Sequence, residues 1–140
     1  MNPEELSAFL ERRDPALVGV VGTLREDGSP HVVPVWYRWD GESILIWTDD
    51  LRVWAKNLRR DPRVAFSVQE MEAPFAAVAV RGQATLTRGD SGEILGQIRR
   101  IIERYIPARE LPAFLESWLA GPQILVRIEP EVVRSWNAAI

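Results

Sequence analysis

Apolar positions along the chain change spacing in blocks, and each change predicts an element. Leu6, Phe9 and Leu10 share one helical face. Asn2-Pro3-Glu4-Glu5 opens that helix with a side-chain cap, a proline at the first position and acid in the first turn, and Asp14-Pro15 closes it. Residues 17–24 form a continuous apolar run, too short for a buried helix and rich enough in β-branched side chains to predict a strand. Arg25 to Ser29 is turn chemistry, with Asp27-Gly28 able to supply a positive φ. His31 to Trp39 reads as a second strand, Asp40-Gly41-Glu42 as a second turn, and Ser43 to Thr48 as a third strand. Three strands joined by two tight turns predict an antiparallel meander.

At Thr48-Asp49-Asp50 the period changes, and an aspartate cap is expected to lead into a helix over Leu51 to Arg60 that Asp61-Pro62 ends. Val64, Phe66 and Val68 alternate with Ala65, Ser67 and Gln69, one apolar face of a fourth strand. A long strand follows from about Phe75 to Thr87, and Gly82 in its middle suggests a bend or bulge. Asp90 and Glu93 frame a capping-box helix start, with Ile94, Leu95, Ile98, Ile101, Ile102 and Tyr105 along one face. Beyond Pro107 a second stripe runs Leu111, Phe114, Leu115, Trp118 and Leu119, which places Trp118 in the core. Ile124, Val126 and Ile128 read as the last strand. No linker or internal repeat divides residues 1–140, so one domain is expected: a mainly β, α+β chain whose antiparallel strands curl into a small barrel with the helices outside. Val33, Val35 and Tyr37 would line one face of the second strand and Val32, Pro34 and Trp36 the other. One apolar face is left over, which points to an interface and a two-fold homodimer.

Composition narrows the chemistry. With no cysteine and a single histidine in 140 residues, thiolate chemistry, disulfides, multi-histidine metal centres and most Ser-His-Asp schemes are hard to build. A net charge of −3 argues against a nucleic-acid partner. No signal-like segment or long apolar run is present, so a cytoplasmic protein with no membrane contact is expected.

The stretch from Thr48 to Arg63 carries the most specific chemistry. A strand feeds the N-terminus of a short helix, where backbone amides and the helix dipole favour an anion. Arg52 and Lys56 are four residues apart on one helical face and could grip a phosphate together. A solvated basic face is the competing reading, and Asp49 and Asp50 could satisfy the helix end themselves. His31, at a strand start, reads as an exposed or capping residue before it reads as a haem ligand. Trp36 and Trp47 suit ring stacking or core equally, Trp54 suits packing, and Trp136 could cap a partner's pocket. No residue is singled out as a general acid.

Two blocks together resemble a known family: residues 23–36, Thr-Leu-Arg-Glu-Asp-Gly-Ser-Pro-His-Val-Val-Pro-Val-Trp, and residues 57–64, Asn-Leu-Arg-Arg-Asp-Pro-Arg-Val. They look like the pyridoxamine-phosphate-oxidase-like, flavin-binding split-barrel proteins, and Val80-Arg81-Gly82-Gln83-Ala84, Arg127-Ile128-Glu129-Pro130 and Arg134-Ser135-Trp136 extend the likeness over nearly the whole chain. The resemblance implies a Greek-key-like split β-barrel homodimer with FMN or the deazaflavin coenzyme F-420 in the groove between subunits. It implies cofactor contacts at Val33, Pro34, Val35 and Trp36, and phosphate contacts at Trp47, Thr48, Arg52, Lys56 and Asn57. Gln69 would face the ring system. The implied activity is hydride transfer to or from a small organic substrate, without metal. The alternatives are a non-enzymatic flavin or haem carrier, and a degenerate pocket with Trp54 in the place of the phosphate. Two departures stand out: Trp54 occupies the position of a lysine found in many relatives, and the tail Arg134-Ser135-Trp136-Asn137 lacks the Arg-x-His element that holds substrate phosphate in true pyridoxamine phosphate oxidases. Pyridoxamine phosphate is therefore not the expected substrate.

Overall fold

A computed structural model describes residues 1–138. The elements run α1 (Pro3–Leu10), β1 (Gly19–Leu24), β2 (Pro30–Val35), β3 (Arg38–Trp39), β4 (Ile44–Thr48), α2 (Val53–Arg60), β5 (Arg63–Gln69), β6 (Ala77–Gly89), α3 (Gly92–Ile102), α4 (Leu111–Trp118) and β7 (Gln123–Trp136). All strands join one antiparallel sheet in the order β2-β1-β5-β6-β7-β4-β3. Because β2 runs almost directly into β3, the chain itself connects the two ends of the sheet with no ladder between them. The result is a barrel split along one seam.

The expected three-strand meander is therefore two hairpins, β1–β2 and β3–β4, at opposite ends of the sheet. The physical cause lies at Tyr37, in the middle of the expected second strand. Its amide donates to the Tyr105 hydroxyl at 3.2 Å, and its carbonyl accepts from the Arg104 guanidinium. Both backbone groups are spent on the segment after α3, so the strand breaks and turns the corner.

Alternation sorts the side chains. Ile44 and Ile46 of β4 and Ile124, Val126 and Ile128 of β7 point into the barrel core beside Val21, Tyr37 and Phe66. Leu45 and Leu125 point outward and pack under Ile98, Ile101 and Ile102 of α3 and Leu111 of α4. The helical hairpin thus covers the outer face of β4 and β7. Gly82 sits where the β6–β7 register shifts, and a Cβ there would lie 2.0 Å from the Glu129 carbonyl oxygen, so the expected bulge is real and needs glycine.

Several boundaries differ from the sequence expectation: helix α1 ends at Leu10, before Asp14-Pro15, and β7 runs on to Trp136. Helix α3 is capped by Ser91, whose side chain accepts from the Ile94 amide at 3.3 Å, rather than by an Asp90–Glu93 box. Strand β6 starts at Ala77, because Phe75 adopts φ 64° in the preceding loop. Helix α2 starts at Val53, two residues late, for the reason given below. Among the described residues no helix is long and apolar enough to cross a membrane.

Candidate cofactor cavity

The end of β2, the end of β4, the turn into α2 and the junction of α4 with β7 border an open cavity of about 910 Å³. That volume suits a drug- or coenzyme-sized ligand. From β2 and the corner after it come Val33, Pro34, Val35 and Trp36; from β4 come Trp47 and Thr48; Arg52 lies at the far end of the turn. Seven of the residues expected to touch a cofactor thus meet around one space.

Both aspartates of the turn are engaged away from the helix end. Asp49 Oδ1 accepts from the Leu51 amide at 2.8 Å, so it caps a tight turn and not the helix. Asp50 is ion-paired with Arg59 and, at 2.7 Å, with Arg88. Neither carboxylate caps α2. Its N-cap position is Arg52, in extended conformation, and no side chain hydrogen-bonds to the first-turn amides. Val53 and Trp54 border the cavity, so the positive end of the helix dipole opens onto it, with the exposed Arg52 alongside. Thr48 stands next to this end, buried, its hydroxyl only weakly engaged with the Asp49 carbonyl at 3.4 Å.

Three expected contacts are not brought to the cavity wall. Lys56 is exposed on the next turn of α2. Asn57 is buried and occupied elsewhere: its Nδ2 donates to Thr23 Oγ1 at 3.0 Å, and its Oδ1 accepts from Arg60 at 3.0 Å. In this chain Asn57 ties α2 to β1. Gln69 is exposed at the end of β5, opposite Ala77.

Part of the cavity wall is aromatic. Trp36 stacks on Tyr105 with centroids 4.8 Å apart and planes 8° from parallel. Trp47 lies 6.1 Å from Trp36 and Trp118 5.6 Å from it. The expectation that Trp118 is core is corrected: it is 43% exposed and lines the cavity, because α4 ends there and its last turn overhangs the sheet. Trp54 is core as expected, 5% exposed and packed with the barrel residues, although its edge borders the cavity. Behind the aromatic wall, the buried Arg104 donates to the carbonyls of Leu10 at 3.1 Å and Arg12 at 2.9 Å, and lies 4.5 Å from the Tyr37 ring. Burial pushes the Tyr37 phenol up to about 12 and raises that of Tyr105. Both hydroxyls therefore stay protonated and donate to backbone, Tyr37 to Leu10 and Tyr105 to Leu17, each at 2.7 Å.

A family model described as pyridoxamine 5'-phosphate oxidase matches residues 3–137. The chain belongs to this family. Solved structures agree on the split-barrel fold. A conserved hypothetical protein from Mycobacterium tuberculosis is 26% identical, with a TM-score of 0.74 over 97% of this chain and 84% of that one. A protein described as an F-420 reductase is 24% identical, with a TM-score of 0.67 over 91% of this chain and 94% of that one. A haem storage protein from Vibrio cholerae is 20% identical, with a TM-score of 0.70 over 95% of this chain and 92% of that one. Proteins of this fold thus include one described as an F-420 reductase and one described as a haem storage protein, so the fold alone does not name a ligand.

His31 bears on the choice of ligand. It borders the cavity, and the Arg25 guanidinium lies 3.0 Å from its Nδ1. Arginine can only donate, so Nδ1 accepts and the neutral ring carries its proton on Nε2. Iron ligation through Nε2 would need the other tautomer, which the Arg25 contact opposes. Among the described residues no cluster of three or more histidine, aspartate or glutamate side chains could hold a bare metal ion, which is a separate matter from haem. Two lining residues had little sequence signal: Trp118 sits in an ordinary helical stripe, and Gln123 is one polar residue at the start of an apolar strand after Gly121-Pro122.

Proposed function

We propose that this protein is an oxidoreductase that binds FMN or coenzyme F-420 and passes hydride between it and a small organic molecule. The observation that carries this reading is the uncapped N-terminus of α2, open to a cavity of coenzyme size that the strand residues Val33, Pro34 and Val35 also line. A ribityl phosphate suits the first-turn amides and Arg52, while a planar ring system suits the strand floor of Val33, Pro34 and Val35 beside Trp36. Those residues fit the group. When bound, the coenzyme supplies hydride transfer at its central ring, which calls for no thiol and no metal.

The chain's own work is then binding, orientation and exclusion of water. Arg52 and the α2 amides hold the phosphate end. Thr48 has a hydroxyl free to donate there in place of its long bond to the Asp49 carbonyl. Lys56 adds charge from one turn further along the helix. The lysine that many relatives place at position 54 is replaced by an indole folded into the core, so the anion end rests on arginine and backbone. That indole does not plug the cavity, which favours a working site over a degenerate one. The Arg25 contact, which opposes the ligating tautomer of His31, weighs against haem.

We also propose that the protein is a homodimer. Val20, Val32 and Val132 are exposed around a second concavity of about 310 Å³ on the outer face of the sheet, with Arg81 and Arg134 at its lining. An apolar patch of that kind is normally covered.

Arg52→Ala tests the phosphate assignment. A charge-assisted bond is worth roughly 1.5–3 kcal/mol, so the variant should bind its coenzyme at least tenfold more weakly, read by fluorescence titration. Unchanged affinity in a folded variant would mean that the phosphate lies elsewhere.

A further inference from the structure

We infer that the aromatic wall formed by Trp36, Trp47 and Trp118 is the substrate site, and that it takes a planar, conjugated, uncharged small molecule bearing one N–H or O–H donor. This rests on the cofactor reading above for the word substrate, but the recognition itself is argued from the wall alone.

The wall is rigid before any ligand arrives. Trp36 is held flat against Tyr105, whose hydroxyl is pinned to the Leu17 carbonyl at 2.7 Å. Trp118 is held from its other side by Phe114, edge-on at 4.7 Å. Trp47 closes the set at 6.4 Å from Trp118. A half-exposed tryptophan fixed in this way loses little freedom on binding and offers a flat face, which favours planar ligands over puckered ones. None of the side chains in this wall is charged.

Gln123 adds direction. It is 5% exposed and lines the cavity. Its Nε2 donates to the carbonyls of Trp118 at 3.2 Å and Gly121 at 3.0 Å, and since both partners are acceptors the orientation of the amide is settled. Both of its N–H groups are thereby spent. Its Oε1 has no hydrogen bond within the described residues, yet no buried side-chain oxygen is both sealed and unpartnered. This oxygen therefore retains exposed surface, and on a residue that lines the cavity it is assigned to the ligand as an acceptor. A ligand donor satisfies it; a ligand acceptor is repelled by it.

The test is calorimetric titration of the full chain with 2-naphthol, 2-methoxynaphthalene and decahydro-2-naphthol. Each is run on the protein alone and on protein saturated with FMN or coenzyme F-420, whichever binds. The expected result is binding of 2-naphthol at least fivefold tighter than of its methyl ether and at least tenfold tighter than of the saturated alcohol, with the coenzyme still in place. Trp118→Leu should weaken 2-naphthol at least fivefold. Gln123→Leu should remove the preference over the methyl ether; if that variant does not fold, the naphthol-to-ether ratio on the unaltered chain still reads the donor. Equal binding of planar and saturated alcohols, or no binding of 2-naphthol, overturns the proposal. Displacement of the bound coenzyme by 2-naphthol also overturns it, since the wall would then belong to the coenzyme. Failure of the cofactor reading looks different: neither coenzyme binds, while the naphthol series keeps its order.

Discussion

Glu70 shows how single side chains hold this barrel in shape. One carboxylate oxygen accepts from the Ala76 amide at 2.8 Å and the other from Arg12 at 2.8 Å, closing the loop between β5 and β6 and tying it to the segment after α1. The Ala76 amide first, and then Arg12, hold the carboxyl below the usual glutamate range. A depressed carboxylate stabilises the fold fully above its unfolded value near 4.5, and the contribution fades as pH falls through the folded value. Glu70→Gln should therefore be less stable than the unaltered chain at neutral pH, with the gap shrinking as pH drops below 4.5, in urea unfolding at several pH values. A gap independent of pH would remove the ion pair from the explanation. Gly82 is the opposite kind of residue, one whose task was legible in the sequence because only a missing side chain lets two backbones approach so closely.

Elements were legible wherever local chemistry decides them. Asn2 caps α1 with Glu5 in a reciprocal box, and the alternation of Val64, Phe66 and Val68 places β5 as expected. Expectation and structure part where a distant group intervenes. The corner at Tyr37 depends on Arg104 and Tyr105, almost seventy residues away, and no local pattern announces it. Asp49 and Asp50 looked like caps for α2, but a shorter turn takes the first and the arginines of α2 and β6 take the second. Trp118 obeys the helical period and still faces the cavity, since periodicity says which side of a helix is apolar and not whether the sheet beneath extends to its end. Asn57 resembled a ligand contact and serves as a bolt between α2 and β1. Asn57→Ala should lower stability by about 1–3 kcal/mol, the cost of stranding the buried Thr23 hydroxyl. The folded fraction should keep its coenzyme affinity within twofold; a tenfold loss at unchanged stability would restore Asn57 to the binding site.

At the scale of the whole molecule, the sheet separates two surfaces. The outer face of β4 and β7 is closed by the helical hairpin, whereas the outer face around β1, β2 and β5 keeps exposed valines, Val32 being 67% exposed. A second copy of the chain is the proposed cover. Light scattering should give twice the chain mass at micromolar concentration, and Val32→Asp should shift the mass toward the monomer; a monomeric unaltered chain would contradict the dimer. The cavity itself joins elements remote in sequence, which explains why the lining around the turn into α2, built from one continuous stretch, was readable and the lining built from β2, β4, α4 and β7 was only half so. The most direct test of the central claim is a fluorescence titration of the purified protein with FMN and, separately, with coenzyme F-420. Saturable binding of one of them, weakened at least tenfold by Arg52→Ala, is the predicted result. A folded protein that binds neither would contradict the account.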